Sequence, residues 1–229
     1  YLSGVLKYAP SAWDDCEDVT HTAVELAKPF LVKNGFIGKS TPRDRRPTLE
    51  ELGQLLEFFS LPPKKANKKR IDMVRMTLWQ WYSAMRVGNS CEILWEDWNR
   101  EEQTILVRKM KDPKRRNKAK VVALTKQAQQ FLFALELERD PNEPRINPFR
   151  KKSVSAAYTR AKKALGIENL HLHDSRRDRG TRLVEDDGCT SAQAIAYTGH
   201  ETPAVFERTY LRQDAAKVVR QVNALAERP

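Results

Sequence analysis

The sequence predicts a mainly α-helical fold with one small antiparallel β-sheet, in the α+β class. Apolar residues recur at helical spacing through most of the 229-residue chain, as at Leu52, Leu55 and Phe59. Two short segments, 104–110 and 120–124, are instead rich in β-branched and apolar residues and flank a polar turn, which predicts a β-hairpin. A chain of this length can bury one good core and part of a second.

Residues 1–38 are predicted to be helical and to end at Asn34-Gly35, a helix-stop pair. The chain begins at Tyr1, in what reads as the middle of a helix, so we expect an N-terminal part of the protein to precede it. Residues 39–47 contain two prolines, three arginines and no apolar residue, which is typical of a linker. A basic linker could follow a DNA backbone, and an ordinary solvated connection has the same composition.

A second domain is predicted to begin at Thr48, which has capping-box spacing to Glu51. After a basic loop, a helix from Met73 to Met85 is apolar on most faces, which predicts that it is central to the domain. Arg86 follows directly, at the end of this apolar helix. An arginine there would be costly to desolvate without an anionic partner, although an arginine that extends to the surface fits the same pattern.

The hairpin tip and the C-terminal third complete the predicted organisation. The tip carries several cations, among them Lys111 and Lys114. Helical periodicity returns from Thr125, and after a proline-containing loop further helices are predicted over about 153–165 and on to the end of the chain. The tail, residues 214–228, has the apolar spacing of an amphipathic helix.

The charge favours a polyanionic partner. Lys and Arg number 41 against 30 Asp and Glu, which gives a net charge of +11; a basic protein of another kind would show the same balance. Three cysteines without paired spacing indicate neither a disulfide framework nor a zinc site, which favours a reduced cytoplasmic setting. The densest apolar stretch, 71–85, is broken by polar residues and is too short for a membrane span.

The order of residues in the C-terminal half predicts chemistry on a phosphodiester. His173 and Arg176 are followed by His200 and then by Tyr210. Arginine neutralises phosphate oxygens best, because its planar fork donates two parallel hydrogen bonds. A phenol with its ordinary pKa of about 10 attacks phosphorus only among cations and beside a base. Each residue alone is more often structural, so the prediction rests on the ordered set.

These motifs resemble the tyrosine recombinases of the phage integrase family. Leu94-Trp95-Glu96-Asp97 stands where that family has a similar segment after its first arginine. The resemblance implies a catalytic domain over 48–229, the end of a helical core-binding DNA-binding domain over 1–38, and a basic interdomain linker over 39–47. It also implies a catalytic set, with Lys114 as the alternative to the hairpin lysine: Arg86, Lys111, His173, Arg176, His200 and the nucleophile Tyr210.

The resemblance implies a site-specific recombinase that cuts and rejoins DNA through a 3′-phosphotyrosyl intermediate, to integrate or excise a phage or mobile element. It implies no cofactor and no metal. The expected partners are double-stranded recombination sites, further copies in a homotetramer on DNA, and accessory DNA-bending proteins, in the cytoplasm at the nucleoid. The tail helix would dock on a neighbouring subunit, or on its own domain. A type IB topoisomerase-like or resolvase enzyme and a non-catalytic DNA-binding module are the alternatives.

Two positions depart from the family pattern. Asn89 stands where glutamate is usual, so we expect different hydrogen bonding behind Arg86. Ser175, between the motif's histidine and arginine, stands where an apolar core residue is usual. Neither change removes a catalytic group.

Overall fold

The computed structural model describes residues 19–36, 45–62, 71–110, 118–200, 202–209 and 215–226. The chain divides into two compact units, Tyr1–Arg43 and Asp44–Pro229. The first unit is described by helix α1, Val19–Lys33, and the turn that follows it. The predicted stop is confirmed, because Gly35 adopts a left-handed φ of 75° and the Phe36 N–H donates to the Leu31 carbonyl at 2.9 Å.

The described part of the second unit is mainly helical with a three-stranded sheet, which confirms the predicted class. A 3₁₀ turn, Trp95–Asp97, precedes the first strand. The other elements, in chain order, are α2 Leu49–Ser60, α3 Met73–Ser83, α4 Val87–Ser90, β1 Trp98–Asn99, β2 Thr104–Met110, β3 Lys118–Ala123, α5 Lys126–Leu137, α6 Lys151–Ala164, α7 Leu172–Glu185, α8 Ser191–Thr198, α9 Pro203–Thr209 and α10 Ala215–Ala226.

The predicted capping box starts α2. The Thr48 hydroxyl accepts from the Glu51 N–H at 3.1 Å, and the Glu51 carboxylate accepts from the Thr48 N–H at 2.9 Å. Leu55 and Phe59 then lie on the buried face. Thr125 caps α5 in a similar way, since its hydroxyl accepts from the Ala128 N–H at 3.1 Å.

Helix α3 is central, as predicted, and contacts α2, α5, α6 and α7. It ends at Ser83 rather than Met85, because Ala84 takes a left-handed φ of 52°. The Ser83 hydroxyl stabilises this end by donating to the Trp79 carbonyl at 2.7 Å and accepting from the next free N–H, that of Met85, at 3.2 Å. The prediction that Arg86 ends an apolar helix was therefore wrong: Arg86 lies in the extended link to α4.

The predicted hairpin is confirmed, and its strands form a sheet of order β1-β2-β3 with antiparallel pairs. The pairs Ile105↔Val122 and Val107↔Lys120 place one face of β3 toward the core. Strand β1 was not predicted, because its two residues are too few to show the alternation of apolar and polar side chains that marks a strand. The hairpin tip, residues 111–117, lies outside the described residues.

Within the described part of the chain, buried apolar residues form three clusters. The first joins α3, the sheet and α5, and the second joins α2, α3 and α6. The third is small and joins α7, α8 and α9 through Leu183, Ala194 and Phe206. A Cβ on Gly180 of α7 would lie 3.1 Å from the Phe206 ring, so the glycine permits α9 to approach α7.

The predicted C-terminal helix is present as α10, and it contacts α7 of the same chain. Within the ranges given above, no helix combines the length and apolar character that a bilayer span requires.

Candidate active site

The start of α7 presents His173 and Arg176 on one edge. The Asp174 carboxylate accepts from the backbone N–H of His171 at 2.8 Å, which fixes the first turn. Because the two side chains are three residues apart, they point to the same side of the helix. The free N–H groups of this turn add partial positive charge at the same end.

Arg176 joins three segments of the chain. Its side chain is buried, at 2% exposure. Its guanidinium donates to the Ala84 carbonyl and, at 2.6 Å, to the Thr198 carbonyl. Its Nη2 lies 3.1 Å from Nε2 of His200. One arginine therefore holds together the loop after α3, the start of α7 and the end of α8.

His200 reaches this point because α8 ends in a left-handed glycine. Gly199 has a φ of 71°, a conformation that costs glycine little, and the chain then turns toward Arg176. His200 is buried, and its Nδ1 lies 2.7 Å from the Thr198 hydroxyl. Lys120 of β3 donates from Nζ to the His200 carbonyl at 2.8 Å. Strand β3 thus also holds the histidine loop.

Hydrogen bonds through Ser90 of α4 fix the backbone at Arg86. The Arg86 carbonyl accepts from the Ser90 N–H at 2.9 Å. The Ser90 hydroxyl accepts from Trp79 Nε1 at 3.0 Å and from Gln80 Nε2 at 2.7 Å, so two buried side chains of α3 anchor α4. The Arg86 side chain is half-buried.

Desolvation, together with the surrounding cations, keeps both histidines neutral. Desolvation and then the charges of Arg176 and Arg86 lower the pKa of His200 to about 2. His173 is solvent-exposed as a residue, but the surrounding protein desolvates its ring, and this effect with the charges of Arg176, Arg177 and Arg86 lowers its pKa to about 4. The charge contributions to both shifts, which come second to desolvation, indicate a positive potential where an anion would bind.

The remaining predicted site residues, Lys111, Lys114 and Tyr210, lie outside the described residues. Strand β2 ends at Met110, directly before Lys111 in the sequence. Helix α9 ends at Thr209, directly before Tyr210. The structure therefore brings together Arg86, His173, Arg176 and His200, and it leaves the nucleophile and the general acid as predictions.

Three residues with roles at the site were missed from the sequence. Thr198 contacts both Arg176 and His200, and Lys120 contacts the His200 backbone. Lys120 pairs with buried Val107 and so lies on the inner face of β3. A lysine at an inward position of a strand is a signal that could have identified it. Tyr158 hydrogen-bonds the Ser175 hydroxyl, so the polar residue in an apolar position has a buried partner.

A cavity of about 300 Å³ opens beside His173, between α6 and the start of α7. Ser155, Thr159 and Lys162 supply polar groups to its wall. Among the residues that the structure describes, no group of three or more His, Cys, Asp or Glu side chains is arranged to hold a metal ion.

The profile of the phage integrase family matches residues 46–217, which is most of the chain and includes every predicted site residue. The chain belongs to the phage integrase family. A Haemophilus influenzae protein described as an integrase/recombinase is 26% identical over 195 residues, which are 82% of this chain and 61% of that protein. This integrase-family chain therefore spans about three fifths of the length of that relative.

Solved structures share the fold of this integrase-family chain. XerA recombinase matches 98% of this chain and 81% of its own, with a TM-score of 0.57 and 17% identity. A Tn1549 transposon integrase in complex with circular intermediate DNA matches 89% of this chain and 76% of its own, with a TM-score of 0.58 and 13% identity. At these identities the likeness establishes the fold.

Proposed function

We propose that this chain is the catalytic part of a tyrosine site-specific recombinase, which cuts and rejoins DNA strands to integrate or excise a mobile element such as a prophage. One observation carries the proposal most directly. Arg176 lies 3.1 Å from His200, and both lie within the electrostatic reach of Arg86 and His173. Three segments of the chain thus bring two arginines and two imidazoles to one point, as a scissile phosphate requires.

In the first step, the Tyr210 oxygen attacks phosphorus, and the bond to the 5′-oxygen breaks. Arg86, Arg176 and His200 hold the non-bridging oxygens and offset the charge that develops on them. Neutral His173 accepts the tyrosine proton. A bound phosphodiester offsets the guanidinium charges that lower the pKa of His173, so that pKa rises and the imidazole becomes a better base once DNA is present.

The leaving 5′-oxygen takes a proton from Lys111, with Lys114 as the alternative donor. Lys111 directly follows Met110, the last residue of β2. The product is a 3′-phosphotyrosyl protein and a free 5′-hydroxyl. The energy of the phosphodiester is conserved in this linkage. A 5′-hydroxyl from another strand can therefore reverse the step and rejoin the DNA without a cofactor.

The partners proposed are double-stranded recombination sites and further copies of the chain. A structural neighbour, the Tn1549 integrase, is in complex with DNA, and the net charge of +11 suits a polyanion. We assign residues 1–38 to a core-binding domain, 39–47 to the linker and 48–229 to the catalytic domain. The working assembly is a homotetramer on DNA in the cytoplasm at the nucleoid, with α10 docking in cis or in trans and accessory DNA-bending proteins assisting.

The first prediction concerns the nucleophile. The full-length protein, incubated with a nicked suicide duplex that carries its site or with a plasmid library, should give a covalent protein–DNA band on a denaturing gel. Tyr210→Phe should abolish the band, because it removes the attacking oxygen. Tyr197→Phe is the matched control, since Tyr197 is partly buried in the α7–α9 cluster, and this variant should retain the band.

A band that persists in Tyr210→Phe would assign the nucleophile elsewhere. DNA binding without any covalent band would indicate a non-catalytic DNA-binding module. Relaxation of a supercoiled plasmid without recombinant products would indicate a type IB topoisomerase-like enzyme.

A further inference from the structure

Thr198 contacts the site through both its backbone carbonyl and its side-chain hydroxyl. Its backbone carbonyl accepts from Arg176 at 2.6 Å, and its hydroxyl lies 2.7 Å from Nδ1 of His200. The same hydroxyl lies 3.0 Å from the Ala194 carbonyl, which can only accept. Thr198 itself is buried, at 2% exposure, so these contacts are screened from water.

The contacts determine which imidazole nitrogen carries the proton in the free protein. A guanidinium has donors and no acceptor, so Nη2 of Arg176 must donate to Nε2 of His200. Nε2 is then the bare nitrogen, and Nδ1 carries the proton. Nδ1 donates to the Thr198 oxygen, while the Thr198 hydroxyl donates to the Ala194 carbonyl. In this network, Nη2 of Arg176, Nδ1 of His200 and the Thr198 hydroxyl each meet an acceptor.

This tautomer is the wrong one for binding a phosphate oxygen through Nε2. A phosphate oxygen can only accept, so Nε2 would need a proton in the complex. Protonating the whole ring is disfavoured first by desolvation, which a bound phosphate does not relieve, and then by the charges of Arg176, Arg86 and Lys120. The neutral ring must instead move its proton from Nδ1 to Nε2, and Nδ1 then needs a donor.

We propose that Thr198 is a positioning residue that holds His200 as the Nδ1–H tautomer without DNA and supports the Nε2–H tautomer when a phosphate binds. A hydroxyl can do both, because it accepts in the first state and donates in the second. In the second state the hydroxyl rotates from the Ala194 carbonyl to Nδ1, and the phosphate replaces Nε2 as an acceptor for Arg176. This inference rests on the proposed function and deepens it.

The kinetic test compares two substitutions in the full-length protein. Thr198→Val keeps the shape and removes the hydroxyl, and it should slow formation of the covalent DNA adduct about 10- to 100-fold, as expected for loss of a buried hydrogen bond. Thr198→Ser keeps the hydroxyl and should restore most of the rate. In a His200→Ala background, Thr198→Val should have little further effect.

The spectroscopic test reads the tautomer directly and does not depend on turnover. Imidazole ¹⁵N shifts of His200 should show Nδ1–H in the free protein, and Nε2–H in the Tyr210→Phe protein bound to uncleaved duplex DNA. Nε2–H already present in the free protein would overturn the proposal, as would full activity of Thr198→Val or an undiminished effect in the His200→Ala background. If the wild-type protein forms no adduct, the proposed function fails, and the free-protein tautomer still tests the role of Thr198.

Discussion

Helix α7 has two faces that use the same residue type in opposite ways. At its start, Arg176 donates to the Ala84 and Thr198 carbonyls and contacts His200, all of which are neutral acceptors. On its other side, an arginine meets a carboxylate: Arg182 pairs with Asp178 at 2.8 Å. The first face carries the candidate site, and the second binds the helix to the rest of its unit.

The paired face also receives an arginine from the start of the second unit. Arg46 contacts Asp178 at 2.8 Å and Glu185 at 2.9 Å, and both carboxylate side chains are almost fully buried. Arg182 also stacks on Trp81, with its guanidinium carbon 4.3 Å from the ring centroid. These contacts fix the position of α7 on the side that faces away from Arg176.

The difference shows how one helix separates stability from reactivity. Carboxylates neutralise the arginines behind α7, so those residues serve as structural anchors. The charge of Arg176 is instead felt by the site, since it contributes to lowering the pKa of both His173 and His200. An anion that enters the site would meet a positive potential that the helix itself has not cancelled.

The largest expected effect tests the reactive face. Arg176→Lys keeps the charge and loses the planar fork, so the rate of adduct formation should fall about 10²- to 10³-fold, as when one transition-state donor is removed. Arg182→Lys, on the opposite side of α7, is the matched control, and its folded fraction should cleave at nearly the wild-type rate. Equal losses in the two variants, measured per folded molecule in single-turnover assays, would remove the distinction between the faces.

A smaller effect tests the anchoring face. Arg46→Ala should lower the free energy of unfolding by about 2–4 kcal/mol, because it takes a guanidinium from two buried carboxylates. Arg100→Ala is the control, since Arg100 pairs with Glu136 at a more exposed position and should cost less than about 1 kcal/mol. Urea unfolding measures both changes. Similar losses would show that the pairs behind α7 contribute no more than surface pairs.

The smallest effect is a pH dependence that originates in the reactive face. The pKa of His200 is about 2 in the folded protein and is expected to be about 6.5 when unfolded. Below about pH 6.5 the unfolded chain binds a proton that the folded chain does not, so stability falls as pH drops, by at most about 1.4 kcal/mol per pH unit. Above about pH 6.5 this histidine has no such effect.

Urea unfolding of wild type and His200→Gln at about pH 7.5 and about pH 5.5 measures this contribution, and the variant should lose less stability on acidification. Equal losses in the two proteins would contradict the low pKa of His200.

The sequence predicted the elements well where a local signal exists. The capping box at Thr48 is encoded by neighbouring residues, and it is confirmed. The end of α3 was misplaced because two contacts stabilise the left-handed turn at Ala84. The Ser83 hydroxyl accepts from the Met85 N–H, and Arg176, which is distant in sequence, donates to the Ala84 carbonyl. Alanine itself gives no helix-stop signal.

The site residues, too, were predicted where the sequence carries a local signal and missed where their role depends on distant contacts. Its charged and aromatic members were identified by motif, and the four that the structure describes do converge. Thr198 was missed because its importance comes from contacts with Arg176 and His200 that exist only after folding. Arg46 was interpreted as part of a linker, because composition cannot show that its partners are more than 130 residues away on α7.

Gly180 has no functional group, and the proposed reaction nevertheless depends on it. A methyl group there would require the Phe206 ring to shift by a few tenths of an ångström. Phe206 lies on α9, the helix that ends directly before Tyr210, so the shift would alter the reach of the proposed nucleophile. A mutational scan restricted to reactive side chains would pass over this residue. Loss of the proposed activity can therefore arise from a single added carbon that carries no charge and donates no proton.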